Sequence, residues 1–372
     1  MASTFEMVGK INVAKDTDKR LAFQEQRYKK GEKNKDGVTR KNDFIMRKLR
    51  LTMKCGEDFF YLDVNGNLFG SEDTAIIKSF TKAEGDKKGE KIEFKYKDRA
   101  KYLPKLADFK KSVFVYDKDS REEFIDGYDF SLFLHEYLTE HTDLSVRVKG
   151  EIEFSEWTNK KTGKTSTYTN YNVTRIYVVD ESTEEYAKGQ LDMLVADGCL
   201  DDSTLDEDGI FKLSGYATQY GSKEQPIVGF HQYLEFPQDT EHEKFDARCK
   251  LIKKVFTVDE CELGKIAVNV NLINRVEEVE FSEDMLSDED KEFLELGFVT
   301  LSELAKEYGS GKGGYVSKME VTGIGKTYRR GVVPTEYTLA QILGEQKEEV
   351  TSGDDVELDF EDDGDEFDGL FD

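Results

Sequence analysis

The stretch LSVRVKGEIEFSEWTNKKTGKTSTYTNYNVTRIYVV, residues 144–179, contains the clearest strand pair in the chain. Residues 144–157 and 167–179 are rich in β-branched and aromatic side chains, and a polar, lysine-rich turn separates them. This pattern predicts a β-hairpin. We interpret the apolar alternation of its first strand as slipping at Lys149-Gly150, where a glycine would let the strand bulge, as closure of a small barrel requires.

Helices are predicted on both sides of this hairpin. Residues 129–141 carry their apolar side chains on one side, with Asp129 as the N-cap. After the hairpin, Ser182 and Glu185 have the spacing of a capping box, which predicts a helix that extends to about Val195.

Toward the N-terminus, short alternating runs predict a first β domain over residues 1–120. Its predicted strands are residues 5–14, 47–55, 59–69, 91–97 and 112–116. The segment 15–43 between the first two strands is long and highly charged, so we expect a basic loop or mobile arm there.

Toward the C-terminus, a second β domain is predicted over residues 143–281, of which 210–281 could instead form a separate barrel. Its further predicted strands are residues 210–220, 227–236, 251–258 and 265–281. Predicted helices at 287–296, 300–308 and 335–343 make residues 282–344 a helical extension.

The last nineteen residues, 354–372, contain eleven acidic residues and no basic one. Such a segment has too few apolar side chains to offset the entropy of ordering its backbone, so we expect residues 345–372 to be a disordered acidic tail. Its apolar residues and terminus are candidate contacts for a partner protein: Phe360, Phe367, Leu370, Phe371 and Asp372. The alternative is a tail that only increases solubility.

The charge of the N-terminal segment is opposite to that of the whole chain. The formal net charge is −25, yet the residues from Lys10 to Lys54 include fifteen basic and six acidic side chains, a net charge of +9. Phe23, Tyr28 and Phe44 are interleaved with them. Lysine and arginine neutralise phosphates and aromatic rings stack on exposed bases, so this pattern predicts a site for single-stranded nucleic acid. The alternative is a charged loop exposed to solvent.

Two groups of residues are the candidate nucleic-acid contacts. The first group lies in the basic segment: Lys19, Arg20, Phe23, Arg27, Tyr28, Lys29, Lys30, Lys33, Lys35, Arg40, Lys41 and Arg47. The second lies in and around the hairpin turn: Trp157, Lys160, Lys161, Lys164, Tyr168, Tyr171 and Arg175. For Trp157, the single tryptophan, burial in the core is the alternative.

Other classes of protein have no support in the sequence. The four cysteines are widely spaced, no apolar run is long enough to cross a membrane, and no P-loop, calcium loop or catalytic constellation is complete. We therefore expect a protein without enzymatic activity, cofactor, metal or membrane association, located in the cytoplasm, which would be the host cytoplasm for a viral protein. Nothing distinguishes DNA from RNA as the ligand.

The strand with a central glycine, the lysine-tipped turn, the second strand and the further strands resemble an OB-fold. The acidic tail that ends in Leu370-Phe371-Asp372 is similar to those of bacterial and bacteriophage single-stranded DNA-binding proteins. The resemblance implies a mainly β chain of tandem OB-type barrels with helical additions and a disordered tail. It also implies sequence-independent binding of single-stranded DNA in replication, recombination and repair, with replication or recombination proteins recruited through the tail. The alternative is a β-rich structural or assembly protein whose tail docks another protein.

Overall fold

The chain is mainly β. The computed structural model describes residues 3–17, 21–33, 39–83, 89–159, 162–163, 165–222, 225–258, 261–276, 286–296, 298–300, 304 and 315–344. The strands in these ranges are β1 Ser3–Val13, β2 Phe23–Tyr28, β3 Phe44–Cys55, β4 Asp58–Phe69, β5 Ile76–Phe80, β6 Lys91–Lys95, β7 Ser112–Val115, β8 Arg121–Phe124, β9 Leu144–Thr158, β10 Thr165–Val178, β11 Tyr186–Val195, β12 Leu200–Asp201, β13 Ile210–Tyr220, β14 Ile227–Pro237, β15 Gly264–Val276, β16 Tyr315–Ile324 and β17 Val333–Pro334.

The helices are shorter and lie mostly between the strands. They are α1 Arg99–Tyr102, α2 Gly127–Glu140, α3 Leu205–Asp208, α4 Phe245–Val255, α5 Asp288–Glu295 and α6 Leu339–Leu343. The predicted helix at 129–141 is confirmed as α2, but its N-cap is Asp126, whose carboxylate accepts a 2.8 Å hydrogen bond from the Tyr128 backbone N–H. The Thr338–Gln341 capping box at α6 is complete.

Five strands near the N-terminus pair in a closed circuit. β1 pairs with β3, β3 with β4, β10 with β9, and β9 with β1, all antiparallel, while β4 and β10 meet in parallel. The apolar face of α2 packs against the interior of this circuit, where Phe130, Leu134 and Leu138 are fully buried. Strand β2 pairs with β3 outside the circuit.

The predicted hairpin at residues 144–179 is confirmed as β9 and β10 and belongs to this first circuit. β9 runs along β1 from Ser3↔Ile152 to Ile11↔Leu144. Residues 144–178 therefore close the N-terminal unit, whereas the predicted boundary at residue 143 placed them in a second domain. The first unit spans residues 3–178, because β9 pairs with β1 and β10 meets β4, both more than a hundred residues earlier in the chain.

The predicted slip at Lys149-Gly150 is wrong. The buried positions of β9 alternate without interruption from Val146 to Phe154, and Gly150 occupies one of them. The irregularity lies instead in β10, between Val173 and Arg175. A Cβ at Gly150 would stand 1.9 Å from the Asn172 carbonyl oxygen. Glycine is required there because the two backbones approach closely.

A second closed circuit follows in the same strand order. β11 pairs with β13, β13 with β14, β16 with β15, and β15 with β11, all antiparallel, and β14 and β16 meet in parallel. α4 packs against this circuit through Cys249, Ile252 and Val255, which are buried. The second unit therefore spans residues 186–324, with α6 packed against β14. The prediction of a separate helical extension over residues 282–344 is wrong in part, because β16 and β17 lie in that range and both pair with β15.

Two predicted elements in this unit are wrong in type. The helix predicted from Ser182 to about Val195 is strand β11, because Leu191, Met193 and Val195 alternate into the core and the strand pairs with β1 and β15. The predicted strand at 251–258 lies mostly in helix α4. Strand pairing outweighed the local capping signal in β11, whereas the helical spacing of the buried Cys249, Ile252 and Val255 outweighed the β-branched run in α4.

The remaining predictions differ in outcome. The predicted loop 15–43 contains strand β2, so its described part is not simply an arm. The helix predicted at 287–296 is confirmed as α5. Most of the helix predicted at 300–308 and the whole acidic tail, 345–372, lie outside the described residues.

Candidate nucleic-acid interface

The outer surface of β3 and β4 follows from the alternation of the two strands. β3 buries its odd-numbered residues from Ile45 to Cys55, and β4 buries its even-numbered residues from Phe60 to Leu68. The side chains of opposite parity therefore point away from the core. The outward set, with its neighbours on β1 and β2, is called the aromatic face below and consists of Lys10, Tyr28, Phe44, Lys48, Arg50, Lys54, Phe59, Tyr61 and Phe69.

One end of the aromatic face joins two lysines to two exposed rings. Lys54 lies between Lys10 on β1 and Phe59 on β4. Phe59 and Tyr61 are 42% and 46% exposed, with ring centroids 5.4 Å apart. Among the residues that the structure describes, neither lysine has a carboxylate within 4.0 Å. Like charges directly opposite each other on paired strands destabilise the sheet, and a bound anion would relieve that repulsion.

The middle of the aromatic face carries two cations and one carboxylate. Arg50 and Lys48 both contact Asp63, with Nε–Oδ1 at 3.3 Å and Nζ–Oδ2 at 3.7 Å. The guanidinium carbon of Arg50 lies 5.7 Å from the Tyr61 ring centroid. The single carboxylate orients both cations but leaves this part of the face with an excess positive charge.

The other end is a row of three rings on three strands. Tyr28 stacks on Phe44 with centroids 4.5 Å apart and planes 23° apart, and Phe44 contacts Phe69 at 6.1 Å. The Arg40 guanidinium covers Tyr28 at 3.7 Å from the ring centroid. Phe69 in this row and Phe59 at the first end are ten residues apart on β4. At about 3.3 Å per residue, the two ends of the face are about 33 Å apart. The face therefore presents rings at both ends and cations between them.

The hairpin β9–β10 continues this outer surface. The Asn65 amide on β4 donates a 3.2 Å hydrogen bond to the Asn172 side chain on β10. On the same side of the hairpin, Trp157 lies opposite Ser166 and Tyr168 lies opposite Ser155. Trp157 and Tyr168 are both partly exposed, so burial of the tryptophan in the core is excluded. Strand parity thus places Tyr28, Trp157 and Tyr168 on the outer surface of the first unit, with Arg40 over the Tyr28 ring.

Arg47 is not part of this surface. Its side chain is buried, and its Nε donates to the Glu25 carboxylate at 2.9 Å, with Glu72 3.4 Å from Nη2. The guanidinium also lies 3.8 Å from the centroid of the Tyr128 ring. A cation with these partners stabilises the packing of α2 on β3 and has no position from which to contact a nucleic acid.

Phe23, Arg27 and Tyr171 also face away from the predicted site. On β2, the parity that places Tyr28 on the aromatic face turns Phe23 and Arg27 to the opposite side. There Phe23 stacks on His135 of α2 at 4.8 Å, and Arg27 pairs with Glu25 at 2.8 Å. Tyr171 packs into the first unit, with its ring 5.3 Å from that of Phe5, and burial raises the pKa of its hydroxyl.

The other predicted residues have mixed positions. Lys29, Lys30, Lys33 and Lys41 are exposed in the segment between β2 and β3. Arg175 donates from Nη2 to the Asp108 carbonyl at 3.2 Å and lines a hollow of about 450 Å³ between the two units. The remaining candidates lie outside the described residues: Lys19, Arg20, Lys35, Lys160, Lys161, Lys164, Phe360, Phe367, Leu370, Phe371 and Asp372.

Several residues of the aromatic face were not singled out by the sequence. Lys10 and Lys54 were counted in the basic segment, but Phe59, Tyr61 and Phe69 were assigned only to a strand. The alternation of β4 could have identified them. Its aromatic residues at the odd positions 59, 61 and 69 share one face of the strand, while Phe60 lies on the other.

Cys55 and Cys199 are buried thiols. Burial raises the pKa of Cys55 to about 12 and that of Cys199 to about 11, so both remain protonated thiols at neutral pH. Within the described ranges, no group of three or more His, Cys, Asp or Glu side chains could hold a metal ion. No described helix is long and apolar enough to span a membrane.

The YorF family profile matches residues 26–355, so the chain belongs to the YorF family, whose description states no activity. No curated protein matches the sequence. Among solved structures, a deletion variant of the single-stranded DNA-binding protein from Thermus aquaticus is similar, at 7% identity over 74% of this chain and 87% of that chain. Its TM-score of 0.28 is too low to show a shared fold.

Proposed function

We propose that this protein binds single-stranded nucleic acid, without sequence preference and without catalysing a reaction. The observation that carries the proposal is the aromatic face, where rings at both ends and cations between them share one surface of a chain whose net charge is −25. Stacking on a ring is available to every base, and each stacked base contributes about 1–3 kcal/mol. Phosphates are neutralised by lysine and arginine whatever the sequence.

The strand order supports a binding role for this face. In each circuit the third and fifth strands meet in parallel, and a helix lies between the third and fourth strands. This is the order of an OB-type barrel, in which the second and third strands and the loops beside them bind oligonucleotides. We propose that both units are such barrels. β3 and β4 are the second and third strands of the first unit, so the aromatic face lies where a barrel of this type holds its ligand.

Each end of the aromatic face has a distinct role in this proposal. Lys10 and Lys54 neutralise phosphates, and Phe59 and Tyr61 stack on the adjacent bases. At the far end, Arg40 holds the Tyr28 ring in place, so little side-chain entropy is lost on binding. Trp157 and Tyr168 extend the stacking surface along the β9–β10 hairpin.

The biological setting is a further part of the proposal. The resemblance stated above suggests protection of single-stranded DNA during phage DNA replication and recombination in the host cytoplasm. The acidic tail would recruit replication or recombination proteins through Leu370 and Phe371. It would also compete with DNA for the cationic surface, so removing residues 354–372 should tighten DNA binding, most strongly at low salt.

The direct test is the affinity for fluorescein-labelled oligo(dT), measured by fluorescence anisotropy. Tyr61→Ala should raise Kd about 5-fold to 150-fold, which corresponds to about 1–3 kcal/mol for one stacked base. Tyr61→Phe keeps the ring and should bind within twofold of the unaltered protein. Lys250→Ala, an exposed substitution on α4 away from the aromatic face, is the control for a surface change and should leave Kd within twofold of the unaltered protein. Equal affinity of the Tyr61→Ala and Tyr61→Phe variants would rule out stacking on this face.

A further inference from the structure

A second cationic surface lies in the insertion between β4 and α2. Residues 76–111 contain twelve basic and six acidic residues, a net charge of +6. The basic residues are Lys78, Lys82, Lys87, Lys88, Lys91, Lys95, Lys97, Arg99, Lys101, Lys105, Lys110 and Lys111. This segment contributes nothing to the aromatic face, so its charge is not explained by the site described above.

The strands β5 and β6 form a two-stranded ribbon with one buried and one exposed side. Ser79 and Phe94 are buried, whereas Ile76, Lys78 and Phe80 are exposed. Their cross-strand neighbours on the exposed side are Lys95, Glu93 and Lys91, in that order. Glu93 pairs with Lys78 at 3.4 Å. Within the described residues, no carboxylate lies within 4.0 Å of Lys91 or Lys95.

A turn of the same insertion adds a second exposed ring. Phe109 is 72% exposed, with its centroid 6.3 Å from that of Phe80, and the Lys110 ammonium lies 5.6 Å from the Phe109 centroid. We call Ile76, Lys78, Phe80, Lys91, Lys95, Phe109 and Lys110 the insertion surface. Two neighbouring exposed phenylalanines surrounded by lysines repeat the chemistry of the aromatic face on different elements.

The insertion surface is held rigidly. Phe94, Leu106 and Ile125 form a small core beneath it, with the Tyr102 ring stacked on Phe94 at 4.4 Å. The Ala107 backbone N–H donates to the Phe80 carbonyl at 2.9 Å, which fixes the Phe109 turn to the ribbon. A rigid platform loses little entropy when a ligand orders on it.

We propose that the insertion surface binds a second single strand of nucleic acid, so that one protein molecule holds two strands and promotes their annealing. The inference takes its ligand class from the proposed function. A strand is favoured over a duplex because Phe80 and Phe109 can stack only on unpaired bases, which a duplex does not expose. Two complementary strands held on one molecule have a raised effective concentration for each other.

The test counts oligonucleotides per protein. We expect the full-length protein to bind two molecules of a twelve-nucleotide oligo(dT). The measurement is a titration at low salt with the mass of the complexes determined by native mass spectrometry. An insertion variant with Phe80→Ala, Lys91→Glu, Phe109→Ala and Lys110→Glu should bind one and should lose the acceleration of annealing between two complementary 30-mers. A control variant with Lys250→Glu and Leu251→Ala, both exposed on α4, should match the unaltered protein.

The outcomes separate this inference from the proposed function. If the insertion variant still binds two strands and anneals normally, the inference is overturned while the aromatic face remains. If Tyr61→Ala with Lys54→Glu leaves two strands bound at unchanged affinity, the assignment of the proposed function to the aromatic face fails, whereas loss of one strand in the insertion variant would still support the inference. A twelve-base-pair duplex that binds the insertion surface as tightly as oligo(dT) would overturn the choice of ligand.

Two additional variants test whether the acidic tail occupies the surface and whether the fourfold variant fails only because it does not fold. In a protein that ends at residue 353, the insertion substitutions should still remove one strand; if they have no effect there, the occupant of the surface is the acidic tail and the inference is overturned. If the fourfold variant does not fold, as judged by circular dichroism, Lys91→Glu with Lys110→Glu alone should still lower the second affinity at least tenfold. A change under twofold would refute the inference.

Discussion

Replacing Lys54 with glutamine should stabilise the protein and weaken its binding to nucleic acid. Lys54 and Lys10 are directly opposite on paired strands, so the loss of one charge removes a repulsion. Because both side chains are exposed and screened, we expect the free energy of unfolding to rise by only about 0.2–0.5 kcal/mol at low salt. Because the charge of Lys54 lowers stability, its presence is best explained by a role in binding an anionic ligand.

The loss of affinity can be calculated from counterion release. Each phosphate neutralised on a single strand contributes about −0.7 to the slope of log K against log salt. If Lys54 makes one such contact and binding at 1 M salt is unchanged, the Kd of Lys54→Gln should rise about eightfold at 50 mM salt and about threefold at 200 mM. Anisotropy titrations with oligo(dT) at several NaCl concentrations give the slope, and urea unfolding gives the stability.

A double-mutant cycle with Lys10→Gln makes the test sharper. The two changes remove the same repulsion, so their effects on the free energy of unfolding should not add. Their effects on the slope of log K against log salt should add, so that the double variant loses about 1.4 of the magnitude of that slope. Lys250→Gln on α4 is the matched control and should leave the slope unchanged. A Lys54→Gln protein that is less stable than the unaltered one, or that keeps the same slope, would refute the reasoning.

Two further predictions concern side chains whose environments differ sharply. Tyr171→Ala should lower the free energy of unfolding by about 3 kcal/mol because the ring packs in the first unit, whereas Tyr168→Ala should weaken oligo(dT) binding with a stability change under about 0.5 kcal/mol; urea unfolding and anisotropy would contradict this if both variants lost stability equally. Burial, reinforced by the Asp129 charge, raises the pKa of Asp126 to about 6, above its value of about 3.9 in the unfolded chain, so the folded protein binds the proton more tightly and its stability should fall as the pH rises from about 4 to 6. Asp126→Asn keeps the acceptor that caps α2 and should remove this part of the pH dependence in urea unfolding between pH 4 and 7; an identical pH profile for both proteins would show that the shift is absent.

The mainly β class and most strands could be predicted from the sequence. The runs at 59–69 and 210–220 became β4 and β13 with at most a one-residue difference, because alternating apolar side chains specify a strand with one buried face. The partners of these strands could not be predicted. β10 meets β4 across more than a hundred residues, and no local pattern encodes such a pairing.

The sequence predicted the kinds of side chain in the candidate site, but not which individual residues belong to it. The positive charge of the N-terminal segment was visible in the sequence, yet Arg47 proved to be buried against Glu25, a partner on the neighbouring strand. For the other candidates, odd or even position in the strand decides which face the side chain lies on. Tyr28 and Arg27 are adjacent in sequence and lie on opposite faces of β2, and Tyr168 and Tyr171, three residues apart, also lie on opposite faces of β10.

Strand β1 belongs to both units. Its residues Thr4–Val8 pair with β9 on one side and with β11 on the other. The Gln219 amide of β13 also bridges the units, because it accepts from the Phe154 N–H and donates to the Phe154 carbonyl, both at 3.0 Å.

Dissecting the protein into separately expressed halves should therefore fail in a characteristic way. A fragment that ends near residue 180 would carry a bare edge along β1, and its missing complement could be supplied only by another polypeptide. Such a fragment should form dimers or precipitate, and adding the complementary fragment, residues 182–372, should restore a monodisperse species.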